Sequence, residues 1–214
     1  IYLGLHLGGT RHNHPHDLTA DAKGRVWFSD PYSDIPIRGP NITPPLDHCS
    51  ILRLEYEKAT SEWVIERMTE DTAEPRGLVL SPDERTLYVA DSPSAPSAPR
   101  QIKAYPIKDD GTLAPPVVLH TFSADHRGRH RGAAGMCTDS DGNILVTAGS
   151  LASGPGPMIY VFTPSGQVLE SHLVPADAPT NCTFGGQDLA TLFITTADGN
   201  LFQVKNTRRK GVAL

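Results

Sequence analysis

One short motif returns four times along this chain, and that recurrence limits its fold more than any other feature. Pro15-His16-Asp17-Leu18-Thr19-Ala20-Asp21 aligns with Pro75-Arg76-Gly77-Leu78-Val79-Leu80-Ser81 and with Ala133-Ala134-Gly135-Met136-Cys137-Thr138-Asp139. Thr180-Asn181-Cys182-Thr183-Phe184-Gly185-Gly186 follows more loosely. The copies begin at 15, 75, 133 and 180, so the steps are 60, 58 and 47 residues. Each copy leads into a polar turn, such as Asp21-Ala22-Lys23-Gly24 or Asp139-Ser140-Asp141-Gly142. A short apolar run comes next: Val26-Trp27-Phe28, Leu87-Tyr88-Val89, Ile144-Leu145-Val146 and Leu192-Phe193-Ile194. Runs this short, rich in β-branched and aromatic residues and bounded by turn formers, read as strands, and the intervening turn makes each pair a hairpin.

Two further strands complete the first three units, Ser50–Leu54 with Trp63–Ile65, Gln101–Tyr105 with Pro116–Leu119, and Met158–Phe162 with Gln167–Leu169. The fourth shows only Asn200–Val204. No segment carries a helical stripe. Four-stranded antiparallel units at this spacing predict an all-β chain folded as a β-propeller of about four blades. A sandwich or barrel would not repeat the same motif and hairpin. Residues Ile1–Leu7 read as an outer strand, either of a blade that begins upstream or closing the fourth blade into a small ring. The expectation is a single propeller domain over 1–214 that lacks N-terminal blades.

Composition narrows the functional classes. The 214 residues are 38% hydrophobic and 20% charged, enough to bury a core. The net charge of −5 gives no reason to expect nucleic acid or an anionic membrane as a partner. No apolar run reaches the roughly 18–20 residues that span a bilayer. The chain begins at Ile1 with no leader pattern, so the natural start is expected upstream. Cys49, Cys137 and Cys182 form no Cys-x-x-Cys pair, and free buried thiols point to a reducing compartment and a cytoplasmic protein.

In a propeller the innermost strands line a central channel. The second motif position, at the entry to each innermost strand, points His16, Arg76, Ala134 and Asn181 toward one axis. Convergent polar groups in a funnel are the default site for a small-molecule substrate.

Four stretches carry a family resemblance. They are Asn13-His14-Pro15-His16-Asp17-Leu18 with Phe28-Ser29-Asp30-Pro31, Pro75-Arg76-Gly77-Leu78 with Ser81-Pro82-Asp83 and Leu87-Tyr88-Val89-Ala90-Asp91, Ala133-Ala134-Gly135-Met136 with Asp139-Ser140-Asp141-Gly142-Asn143, and the run from Thr180 to Leu189. In this order they resemble the gluconolactonase and senescence-marker-protein (regucalcin-like) family of lactonases. The resemblance implies a six-bladed ring, with about two blades and one metal-ligand Glu before Ile1. It also implies one divalent cation on the axis, usually calcium, bound by Glu, two Asn and an Asp. There the metal polarises a lactone carbonyl while a carboxylate activates water.

The chain departs from that pattern at each ligand position it covers. His16 and Arg76 stand for the two Asn, and Ala134 for the Asp. Imidazole suits a transition metal better than calcium, and guanidinium repels a cation. The calcium site is therefore expected to be lost or replaced, with His16 the one remaining position able to ligate. The remaining kit is His16 as acid or base, Asp17 beside it, and Arg76 as a positive fork for an oxyanion or anion. His14, Tyr32, Arg131 and Asn181 are candidate substrate contacts, and His48 and His130 possible rim groups. The bland alternatives are plain. His14 could simply bond within its loop, Asp17 cap its turn, Arg76 sit solvated in the channel, and His126–Arg131 form an exposed loop. Asp21, Asp83, Asp139 and Asp141 read as turn residues, and Trp27 and Phe28 as core.

These residues predict a hydrolase of a small lactone or ester with an altered metal site. The alternatives are a metal-free, non-hydrolytic propeller enzyme of the cyclase or strictosidine-synthase-like kind, or an inactive small-molecule binder.

Overall fold

A computed structural model describes residues 6–32 and 46–212, and every described element is a strand. Strands β1 (His6–Leu7) and β2 (Thr10–Arg11) make a two-residue hairpin. The first blade is β3 (Leu18–Ala20), β4 (Val26–Asp30), β5 (Ser50–Glu57) and β6 (Glu62–Arg67). The second is β7 (Pro75–Leu80), β8 (Thr86–Asp91), β9 (Arg100–Pro106) and β10 (Val117–Phe122). A small hairpin, β11 (Ala124–Asp125) and β12 (Gly128–Arg129), precedes the third blade. That blade is β13 (Ala133–Thr138), β14 (Ile144–Ser150), β15 (Ser153–Phe162) and β16 (Val168–Leu173). The fourth sheet holds three strands, β17 (Pro179–Gly185), β18 (Thr191–Thr196) and β19 (Leu201–Val204). All pairings are antiparallel between consecutive strands, and the four sheets are arranged as propeller blades.

Of the expected outer strand over residues 1–7, residues 1–5 lie outside the described residues. His6–Leu7 pairs with β2 and lies beside β6, away from the fourth blade.

The strands form because each blade offers two apolar faces to its neighbours. Trp27 and Ile51 of the first blade pack on Leu78, Leu80, Leu87 and Val89 of the second. Tyr88, Ile102 and Phe122 of the second meet Met136, Ile144 and Phe162 of the third. Leu145, Ile159 and Val161 of the third meet Cys182, Leu192 and Ile194 of the fourth. Each fully buried side chain of this size is worth about 1.5–3 kcal/mol. Cys137 and Cys182 are free and buried, with their sulfurs 3.6 Å apart across the last of these layers, while Cys49 is half-buried.

The turn acids do more than cap. The Asp21 carboxylate accepts from Arg25 Nε at 2.7 Å and Trp27 Nε1 at 2.9 Å. The Arg25 and Arg53 guanidiniums lie 5.4 and 5.2 Å from the Trp27 ring. Asp139 accepts from Asn143 and from Arg209, whose segment runs back beneath the third and fourth blades.

Among the inner strands, β7 lies beside both β3 and β13, and β13 lies beside β17. Their approach is close. A methyl group at Gly77 would lie 2.0 Å from the Ala134 carbonyl oxygen, and one at Gly135 would lie 2.2 Å from Asn181 Oδ1. The register slips between Pro75 and Leu78, between Ala133 and Met136, and between Pro179 and Asn181. The second motif position therefore sits at or beside a bulge in these three blades, where a strand bends and re-aims its side chains.

The basic stretch is only partly an exposed loop. His126 and Arg127 are exposed, but His130 is 4% exposed. Its ring stacks on Phe122 at 4.6 Å, and its Nδ1 accepts the Gly132 N–H at 2.9 Å. Burial, chiefly, pushes its pKa down to about 4.

Two outcomes are expected. Gly77→Ala should destabilise the protein by at least about 2 kcal/mol in denaturant titration, because backbone blocks the added methyl. For His130 the folded pKa lies below the unfolded value near 6.5. The unfolded chain therefore binds more protons between pH 4 and 6.5, and stability falls as pH drops through that window. The loss is on the order of 3 kcal/mol, and His130→Gln should flatten that part of the pH–stability curve.

Candidate functional site: the mouth of the central channel

Polar side chains at the entries to the inner strands act on one another electrostatically. His16 precedes β3, held by its backbone N–H on the Ser29 carbonyl at 3.0 Å. The residue is exposed. Desolvation, and then the charges of Arg76 and Arg131, lower its pKa, while Glu74 partly restores it. At neutral pH the imidazole is uncharged and can accept a proton.

Arg76, at the bulge of β7, is fixed by its Nε on the Ser92 carbonyl at 3.3 Å and its Nη2 on Glu74 Oε1 at 2.6 Å. Glu74 in turn accepts from the backbone N–H and hydroxyl of Ser94 at 2.6 and 2.8 Å. Arg131, three residues before Ala134, is half-buried and donates from Nη1 to the Pro179 carbonyl at 2.9 Å, bridging the third and fourth blades. Burial and then the Arg76 charge lower its pKa, partly opposed by Asp177.

Just inside the mouth, Asn181 Nδ2 reaches Asp17 Oδ1 at 3.5 Å, joining the fourth blade to the first across the channel. Burial raises the Asp17 pKa, opposed by hydrogen bonds from Leu18, Leu78 and Asn181. Below this pair opens a cavity of about 830 Å³, lined by all four inner strands and closed in part by Gly211 and Val212.

The predicted residues thus divide into two groups. His16, Arg76 and Arg131 share one electrostatic neighbourhood, with Asp17 and Asn181 beneath. Ala134 is 3% exposed, its methyl packed away. His14 stands apart. Its backbone N–H bonds to Pro31, and neither ring nitrogen has a partner among the described residues. Asp17 gives its carboxylate to Leu18 and Asn181 and to no imidazole. Tyr32 is 49% exposed, with its N–H on Cys49 Sγ at 3.0 Å, and His48 bonds to Cys49 and Ser50. Sequence reading missed Glu74, although an acid two residues before Arg76 shares its face of an extended chain. It also missed Ser92 and Arg100, which no motif marks.

The positions that the resemblance assigns to calcium ligands do not fit that ion. Calcium takes six to eight oxygens. These positions hold an imidazole, a guanidinium and a buried methyl, with Arg131 adding a second cation. Asn181 Oδ1 is already engaged by the Cys182 N–H at 2.8 Å. Among the described residues, no group of three or more His, Cys, Asp or Glu is placed to hold a metal. No described helix is long and apolar enough to cross a membrane.

The electrostatic neighbourhood can be read directly. In a proton NMR titration His16 should titrate below 6.5, and Arg76→Gln should move it upward, because removing a neighbouring positive charge favours the imidazolium. An unmoved His16 would place Arg76 too far away to matter.

Known proteins agree with this architecture. The model for the SMP-30/gluconolactonase/LRE-like region matches residues 3–198. A gluconolactonase from Zymomonas mobilis is 31% identical over 92% of this chain and 51% of its own length. A 6-deoxy-6-sulfogluconolactonase from Pseudomonas putida is 29% identical over 90% of this chain and 57% of its own. The structure of a Xanthomonas campestris gluconolactonase superposes with a TM-score of 0.69 at 30% identity, covering 93% of this chain and 59% of that one. The chain spans about half the length of the curated relatives it matches. With its four blades and ordered motifs, it belongs to the SMP-30/gluconolactonase/LRE-like family.

Proposed function

We propose that this chain forms part of a six-bladed enzyme that hydrolyses a small lactone or ester at the channel mouth without calcium. What supports the reading is that His16, next to Asp17 of the cavity wall, feels the charge of Arg76 from the neighbouring blade, and that the cavity of about 830 Å³ could take a sugar-sized ligand. The names of the relatives, both lactonases of sugar acids, support the substrate class. The three unpaired thiols support a reducing compartment such as the cytoplasm.

The chemistry follows from the side chains. Neutral His16 takes a proton from water, and the water oxygen attacks the carbonyl carbon. Arg76, steadied by Glu74 and Ser92, holds the negative charge that develops on the carbonyl oxygen. As the tetrahedral adduct collapses, the ring C–O bond breaks and His16 returns its proton to the leaving oxygen. The products are a hydroxyl and a carboxylic acid, which then ionises to a carboxylate and a proton released to solvent, with one water consumed. Asp17 and Asn181 order the substrate beneath. Tyr32, half exposed, would contact only larger substrates, as would His14.

The test is a lactone panel assayed with and without EDTA on metal-analysed protein. Hydrolysis that persists in EDTA is expected. His16→Ala should lower kcat/KM by about 10²–10⁴-fold, the usual worth of a positioned general base. The acid limb of the pH profile should lie below 6.5, because only neutral His16 is competent. Chelator-sensitive hydrolysis with one bound metal would overturn the metal-free part. Ligand binding without turnover would favour the non-hydrolytic alternative.

A further inference from the structure

The channel mouth holds more positive charge than hydrolysis of a neutral lactone requires. Arg100 donates from Nε to the Pro93 carbonyl at 3.1 Å and from Nη1 to the His130 carbonyl. Arg129 donates to the Ala95 carbonyl, and Arg131 to the Pro179 carbonyl. All three are bonded to neutral carbonyls, and none has a carboxylate within ion-pair distance among the described residues. Among the described residues the acids that act on this group are already engaged: Glu74 by Arg76 and Ser94, and Asp177, which acts on Arg131 at longer range, by the Leu151 and Ala178 N–H groups. Elsewhere in the same chain most of the half-buried cations are paired. Arg25 has Asp21, Arg53 has Glu66, Lys103 has Asp91 and Arg209 has Asp139.

A half-buried guanidinium without a counter-charge costs free energy, and its neighbours add repulsion. Burial and the neighbouring cations already lower the pKa of Arg100 and of Arg131. A fold that keeps such a group beside a concave opening has a positive potential focused there. Arg131 is the best placed member. It stands between the third and fourth blades and feels Arg76, partly offset by Asp177, and among the described residues only its Nη1 has a hydrogen-bond partner. The rest of its donor fork remains for a ligand, and a planar fork matches a two-oxygen anion.

We infer that Arg131, backed by Arg76 and Arg100, is the specificity residue for a negatively charged group on the substrate, a carboxylate, sulfonate or phosphate carried by a sugar-sized polyol. The inference rests on the channel mouth being a substrate site, yet it concerns binding and does not require turnover.

The experiment is calorimetric titration of the full chain with four probes: D-glucitol, D-gluconate, D-glucitol 6-phosphate and inorganic phosphate. At low salt at least one of the two charged polyols should bind at least tenfold more tightly than glucitol, and 0.5 M NaCl should remove most of the difference. Arg131→Gln should bring the charged polyol to within about threefold of glucitol, Arg131→Lys should keep part of the preference, and Arg127→Gln, in the exposed hairpin, should change nothing. Thermal melts of each variant check that the fold survives. If Arg131→Gln does not fold, Arg131→Lys decides, since loss of bidentate geometry with retained charge should weaken binding by several-fold. Equal binding of glucitol and both charged polyols overturns the inference, as does a preference that survives Arg131→Gln. Inorganic phosphate binding as tightly as the charged polyols would mean a bare anion site and overturn the substrate assignment. An absence of lactone hydrolysis leaves this result untouched and counts only against the proposed reaction.

Discussion

The inner strands meet backbone to backbone, and the rest of the structure is arranged around that contact. At Gly77 the next blade's Ala134 carbonyl and Gly135 Cα lie where a side chain would go, and at Gly135 the Asn181 side chain and Cα do. The blades are also fastened by donors that reach a carbonyl of the following blade. Ser29 Oγ bonds to the Arg76 carbonyl, Ser92 Oγ to that of Ala133 at 2.8 Å, and Arg131 to that of Pro179. These bonds satisfy carbonyls that the bulges remove from the ladder, so a buried polar group does not go unpaired where the register slips. The apolar layers supply most of the stabilisation, but these bonds set the angle at which the layers face each other.

That arrangement fixes the electrostatics of the channel mouth. Three of the groups that converge there are cationic or potentially so, and the nearby acid is held by Arg76 and Ser94. A metal ion would face repulsion where the family resemblance implies attraction. The residue types that suit calcium poorly are ones that would suit a developing oxyanion, which is the basis of the proposed reaction.

Much of the fold was legible because its signal is local. Turn formers, short β-branched runs and a motif recurring at 15, 75, 133 and 180 mark the blades directly, and each marked run lies in a strand. The three-stranded fourth sheet was also legible, from the single run after Ile194. The site was legible only in part. His16 and Arg76 could be placed by their motif position, yet the burial of Ala134 depends on the bulge, and a bulge leaves no clear mark in sequence. His130 looked like part of a polar loop, because its neighbours His126 and Arg127 are exposed. Its burial comes from Phe122, a residue of the preceding blade's outer strand. Asp17, which the sequence sets beside His16, finds its side-chain partner elsewhere for a similar reason. Asp17 is claimed by Asn181, which is 164 residues away and adjacent only once four blades have turned around the axis.

The glycine contacts have one more consequence. Where main-chain atoms do the packing, the side chain at the neighbouring second motif position is relieved of structural duty. Histidine, arginine, alanine and asparagine occupy that position in the four blades, at or beside a bulge in the last three. The axis therefore behaves as a set of interchangeable sockets in a fixed frame. Chemistry can be exchanged there at small cost in stability, and such a scaffold can change its reaction more readily than its shape.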